Sequence, residues 1–345
     1  MSVVWTVLIA VLVFAALIFI HELGHFLMAK LNGIKVDEFA LGMGPTLLKW
    51  GKGETTYALR LFPIGGFCKM EGEDEGSLNE RAFCNKKVWR RILVVVAGAL
   101  TNIVLGFIIL LCLTSSQDLI GSTQVAKFNE GSISQNSGLQ AGDIIERING
   151  NKTNIDYDIL YALMRDKDGV VDMEVLRGDE IVKLDAVKFN MQELEDGTKT
   201  IQLDFKVKGE EKTFLNVVHH SFFWTGAIIK VVWTSLLDLI TGNFGFNQLS
   251  GPVGVATAIG QASSMGLSSL FLMIAFITIN LGVFNLLPFP ALDGGRLVFL
   301  IIEGIRRKPI KPEYEGYVHL AGLLLLFLLM IAVTFNDIAR LITGG

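Results

Sequence analysis

His21-Glu22-Leu23-Gly24-His25 is an HExxH pattern. On a helix, positions four apart share a face, so His21 and His25 can hold one metal ion together. Neutral imidazole is a good zinc ligand. Glu22 is turned about 100° from His21 on a 3.6-residue helix, so it is poorly placed as a third ligand. It can instead reach a water on the metal and act as its general base. A catalytic zinc usually has three protein ligands and one open position, so two imidazoles leave the site one ligand short. Glu38 could supply that ligand, but nothing near it marks the role. A better candidate lies in Asn285-Leu286-Leu287-Pro288-Phe289-Pro290-Ala291-Leu292-Asp293-Gly294-Gly295. Pro288 and Pro290 break an apolar span, because proline removes a helical donor and clashes with the preceding turn. Non-helical backbone at membrane depth persists only inside protein or beside water. Asp293 follows directly. It is either the N-cap of a helix over Arg296 to Arg306 or the third ligand. An HExxH pattern at matching depth favours the ligand. Asn285, polar within an apolar span, would bind substrate backbone or satisfy the broken helix.

The elements that must carry these residues are mostly apolar. Of the 345 residues, 51% are hydrophobic and only 19% charged, below the quarter typical of soluble chains. The length suggests about two domains. A net charge of −4 gives no basic surface for nucleic acid. Cys68, Cys84 and Cys112 have no CxxC spacing and imply neither a disulfide framework nor a cysteine zinc site. Four runs are long enough to cross a hydrocarbon core of about 20 helical residues: Val3 to Ile20, Ile92 to Leu113, about Leu267 to Leu287, and about Tyr317 to Phe335. The first lacks a basic n-region and a small-x-small cleavage site, so it reads as a retained span. Val217 to Ile240 is apolar but carries His219, His220, Lys230 and Asp238. An interfacial amphipathic helix is favoured there over a span. Lys and Arg are dense between spans one and two, from Lys30 to Arg91, and recur at Arg306, Arg307, Lys308 and Lys311. Positive-inside bias puts both loops in the cytoplasm, with both termini and the long middle segment outside. The four-part division is then 1–113, 121–208, 215–265 and 266–345.

Residues 121–208 change character, with alternating apolar and polar residues and recurrent glycine. Ile144 to Ile148 into Asn149-Gly150 reads as a strand and tight turn, and Ile155 to Met164 as a short helix. Val170 to Leu176 and Ile181 to Val187 read as a hairpin. The run from Gly131 to Gly150, with Ser137-Gly138-Leu139-Gln140-Ala141-Gly142-Asp143 at its centre, resembles the core signature of PDZ domains in bacterial proteases. The resemblance implies a mixed α/β domain whose groove takes a peptide ligand as an added strand. A spacer domain without a ligand is the other reading.

HExxH in the first span, a single PDZ-like insert, Ser250-Gly251-Pro252-Val253-Gly254 before span three, and the Asn285 to Gly295 run together resemble the site-2 protease family of intramembrane zinc metalloproteases. The nearest kin look like the bacterial regulators of sigma-factor signalling, and the likeness covers nearly the whole chain. It implies a membrane protein in which four transmembrane helices form a zinc protease core, with a membrane-associated β segment and the inserted domain. It implies zinc held by His21, His25 and Asp293, with Glu22 as catalytic base and Asn285 touching substrate. Val36 to Pro45 and Thr56 to Phe67 read as short β segments with Gly/Pro turns. The resemblance makes them a sheet beside the zinc, able to hold an unwound substrate extended. The expected substrates are single-span membrane proteins or remnant peptides, such as anti-sigma factors and leftover signal peptides. The expected location is the bacterial cytoplasmic (inner) membrane, with the active site toward the cytoplasmic side of the lipid bilayer. Two other classes compete: a non-catalytic PDZ scaffold with a structural metal, which needs a fourth ligand that neither motif offers, and a transporter, which needs repeated halves.

Overall fold

The computed structural model describes residues 3–51, 53–73, 75–193, 199–242 and 249–343. The basic residue Lys52, residues 194–198 of the insert, residues 243–248 of the 215–265 interval and the extreme termini lie outside them. The chain divides into two compact units, Met1–Ile109 with Val231–Gly344, and Leu110–Lys230.

The first unit opens with helix α1 (Val3–Leu31), followed by strands β1 (Val36–Trp50) and β2 (Thr56–Met70) and by helix α2 (Val88–Ser116), which runs on into the second unit. After the second unit come α5 (Phe214–Thr241), which spans the boundary, then α6 (Pro252–Met265), α7 (Leu267–Asn285), α8 (Asp293–Arg306) and α9 (Pro312–Thr343). Helix α1 is apolar all round, yet its buried residues are Ala10, Leu17, His21, Gly24, His25 and Ala29. That is one narrow seam at three- and four-residue spacing, rich in small residues that admit close helix approach. Val4, Leu8, Leu12 and Phe19 on its remaining surface are exposed, as lipid-facing side chains are. Five helices among the described residues have the length and apolarity to cross a membrane: α1, α2, α5, α7 and most of α9. The sequence places four spans there; α5, expected on the interface, also meets the length and apolarity of a span.

β1 and β2 form a two-stranded antiparallel hairpin, longer than the short segments expected, with fifteen residues in each strand. Leu41 pairs with Gly66 and Trp50 with Tyr57. The near end is buried at Val36, Phe39, Ala40 and Gly42, while Met43 to Trp50 are exposed.

The second unit contains β3 (Leu119–Phe128), α3 (Ile133–Asn136), β4 (Ile144–Ile148), β5 (Asn151–Lys152), α4 (Asp156–Met164), β6 (Val170–Arg177), β7 (Glu180–Lys188), β8 (Met191–Glu193), β9 (Lys199–Ile201) and β10 (Phe205–Glu211). Its main sheet runs β10-β3-β4-β6-β7, with β5 paired to β4. On β6 the side chains alternate: Val171, Met173 and Val175 are buried and the residues between them are not, which is the two-residue period of a half-buried strand. With Ile145, Ile148, Ile159, Leu163 and Phe205 they form one core. The expected strand, short helix and hairpin are all present within two residues of their expected ends.

Candidate metal centre

His21 and His25 sit one turn apart on the buried seam of α1. α2 crosses that seam at Gly98. A methyl group on Gly98 would stand 2.6 Å from His25 Cε1, so only glycine leaves room for the ring. His25 Nδ1 lies 2.9 Å from the carbonyl of Val94 and donates to it. The neutral ring then carries its lone pair on Nε2, the tautomer a metal ligand needs.

The third group arrives from the far end of the chain. α7 ends at Asn285, and the backbone through Leu286, Pro288 and Pro290 is not helical. It turns sharply, with the Phe289 amide donating to the Leu287 carbonyl at 2.6 Å. Gly294 makes the fold-back possible, since a side chain there would meet the Leu286 backbone at 2.5 Å. α8 then begins at Asp293 itself; the residue ahead of it, Leu292, occupies the N-cap position, and no side chain caps the helix. The N-cap reading of Asp293 is therefore set aside, and its carboxylate is free for another task. It stands in the first turn, where the helix dipole favours a negative charge.

Asp293 Oδ2 lies 3.1 Å from His21 Nε2 and 3.3 Å from His25 Nε2, and the two Nε2 atoms are 3.2 Å apart. Around a tetrahedral zinc with bonds of about 2.0–2.1 Å, neighbouring ligand atoms stand about 3.3 Å apart. The three edges match that spacing. Asp293 Oδ2 is buried with no hydrogen-bond partner. Two imidazole nitrogens and a carboxylate oxygen brought this close form an arrangement that a bound cation would hold together. His21, His25 and Asp293 form the one ligating cluster of three or more such side chains among the described residues. The donor set fits zinc. The alternative ligand, Glu38, is elsewhere, with its Oε1 accepting from Arg60 Nη2 at 2.8 Å.

Glu22, next to His21 on α1, also lies against the hairpin. A methyl on Gly66 would stand 3.2 Å from Glu22 Cγ and 3.1 Å from the Ala40 carbonyl. Gly66 thus lets the β2 backbone approach the carboxylate side chain closely. Asn285 is not directed at the hairpin. Its Nδ2 lies 3.5 Å from His21 Nδ1, beside the amide of Asn102, 3.4 Å from the same atom. Asn102 is fully buried, and its Oδ1 has no partner. Turning the Asn102 amide over would present that oxygen to the Nδ1–H that a metal-ligating His21 carries. Asn102, Val94 and Gly98 are absent from the sequence reading. The available signal was Asn102 itself, an amide inside the apolar run Ile92 to Leu113.

The chain matches the model of peptidase family M50 over residues 9–329. It is similar to a Clostridium perfringens protein, 38% identical over 96% of this chain and 98% of that one. It is also similar to the regulator of sigma-W protease RasP of Bacillus subtilis, 32% identical over 97% and 99%, and to the zinc metalloprotease RasP of Bacillus licheniformis, 31% identical over 97% and 99%. A solved PDZ domain of an SdrC-like protein from Listeria monocytogenes shares 19% identity over 30% of this chain and 96% of that one, with a TM-score of 0.19, too slight a likeness to bear on the fold. Near-complete coverage in both directions, joined to a two-histidine, one-carboxylate cluster in apolar helices, places this bacterial membrane protein in peptidase family M50, the site-2 proteases, as a zinc metalloprotease.

Proposed function

We propose that this protein hydrolyses peptide bonds within the transmembrane segments of single-span membrane proteins. Anti-sigma factors and remnant signal peptides are the substrate classes that suit it. The observation that carries the reading is the convergence of His21, His25 and Asp293, with ligand atoms 3.1–3.3 Å apart, at the level of Glu22 and the hairpin backbone. His21, His25 and Asp293 hold the metal. Zinc, when bound there, supplies Lewis acidity that acidifies a water and polarises the scissile carbonyl. Glu22 accepts a proton from the attacking water and delivers it to the leaving amine as the C–N bond breaks. Val94, and Asn102 with its amide turned over, hold the two imidazoles in the ligating tautomer. Asn285 either joins Asn102 behind His21 or binds the substrate backbone.

A helical substrate hides its peptide bonds in internal hydrogen bonds, so it must unwind first. The hairpin is two-stranded, and Gly66 brings β2 beside Glu22. An extended segment added along its edge would be held by backbone hydrogen bonds within reach of the base. The charge pattern supports an orientation with the catalytic end of α1 toward the cytoplasm, and with both termini and the Leu110–Lys230 unit outside. That unit is a PDZ-like module that binds peptide or screens bulky outer domains.

The test is Glu22→Gln. The variant keeps its zinc and loses cleavage of a membrane-embedded peptide by about three orders of magnitude or more, the scale expected on removing a general base. Cleavage at the wild-type rate would show that Glu22 is not the base.

A further inference from the structure

His319 of α9 reaches back to the broken segment ahead of Asp293. Its Nδ1 accepts from the Ala291 N–H at 2.9 Å. Ala291 has φ of 74°, one of four non-glycine residues with positive φ among the described residues. A side chain in that region strains the backbone relative to glycine, and such strain persists only where neighbours over-determine the conformation. α9 provides that constraint twice. One turn beyond His319, a methyl on Gly322 would stand 2.6 Å from the Pro290 carbonyl, so the helix backbone lies directly against the proline. The His319 ring also packs on Phe299 of α8 with centroids 5.8 Å apart. On its other side, His319 Nε2 faces Glu315 Oε1 at 3.7 Å, and Glu315 Oε1 lies 3.4 Å from Arg296 Nε. Arg296 Nη1 pairs with Glu73, just after β2. Asp293 is two residues beyond Ala291, and His319, Ala291, Phe299, Glu315, Arg296 and Glu73 border one cavity of about 520 Å³ that also touches Asp293.

We infer that His319 is a positioning residue: its bond to the Ala291 amide locks the left-handed turn at Ala291 and so aims the Asp293 carboxylate at the two imidazoles. The inference rests on the reading of Asp293 as a metal ligand. The sequence contains no glycine at the turn, where glycine would adopt the conformation freely; a hydrogen bond from a separate helix holds it instead. Fixing the turn from α9 ties the geometry of the third ligand to the seating of the C-terminal helix.

The experiment measures zinc affinity by competition with a chelator, together with kcat and KM for a membrane-embedded peptide, on the full chain. His319→Leu, which fills the space but accepts no hydrogen bond, is expected to weaken zinc binding about tenfold, the lower end for loss of a supporting partner. Its kcat falls with KM unchanged. His319→Asn, whose amide oxygen lies near the Nδ1 position, recovers both. Adding Ala291→Gly to His319→Leu recovers at least half of the lost affinity on a logarithmic scale, because glycine adopts the turn without the lock. Wild-type zinc affinity in His319→Leu overturns the inference, as does a loss that neither Asn nor the added glycine repairs. Asp293→Ala separates this from the reading beneath it. If Asp293→Ala loses zinc while His319→Leu does not, only the role of His319 fails. If Asp293→Ala keeps its zinc, the ligand assignment itself fails.

Discussion

Of the site residues, the HExxH set was legible because its meaning is local. Helical geometry alone puts His21 and His25 together and turns Glu22 aside. Asp293 needed a long-range argument from broken helix and matching depth, and the structure joins it to the imidazoles at 3.1 and 3.3 Å. Asn102 shows in the sequence only as an amide inside an apolar run, and Val94 and Gly98 not at all, because all three act through a helix crossing whose register the sequence does not express. Gly98 tests that crossing. Gly98→Ala sets a methyl 2.6 Å from His25 Cε1, so the ring must swing off its Val94 partner. Zinc affinity should fall by about 10- to 100-fold, as on loss of a supporting hydrogen bond. A competitive chelator titration measures it, and unchanged affinity would mean that α2 does not confine the ring.

Strands and helices were read well where periodicity was strong, as on β6, and less surely where charge interrupted an apolar run. α5 shows why. His220 Nε2 pairs with Asp156 Oδ1 at 3.0 Å, and Lys230 Nζ donates to Asn151 Oδ1 at 3.2 Å. Both polar groups find partners inside the same unit, His220 buried and Lys230 exposed, which a count of charges does not express. The Ser250 to Gly254 segment is a second case, a motif whose role appears only in three dimensions. Asp337 of α9 is buried and accepts from the Gly251 amide at 3.1 Å and the Gly254 amide at 2.8 Å, satisfying the orphan donors at the start of α6. Asp337→Ala leaves the buried Gly251 amide and the half-buried Gly254 amide unpaired and removes a charge that complements the helix dipole. A loss of about 1–3 kcal/mol is expected, read as a lower midpoint in thermal unfolding in detergent. A midpoint equal to wild type would contradict the capping role.

For the whole molecule, composition and charge pattern made a multi-span membrane protein legible, and near-full-length similarity to RasP proteins agrees. The sequence marks the insert at 121–208, and the compact unit Leu110–Lys230 also takes in the end of α2 and the first part of α5. The proposed orientation makes a direct prediction. With the three native cysteines replaced by alanine, a cysteine at the exposed Asp179 should react with a membrane-impermeant thiol reagent added outside intact cells, and one at the exposed Glu313 should not. The reverse pattern would invert the topology and place the site at the outer face.

The central claim is that His21, His25 and Asp293 together hold one zinc ion. The most direct measurement is zinc per chain in purified protein after dialysis against a weak chelator. Wild type and Glu22→Gln should each retain one equivalent, while His21→Ala and Asp293→Ala should retain almost none. A full equivalent in Asp293→Ala would contradict the account, because the carboxylate that meets the two imidazoles would then have no part in holding the metal.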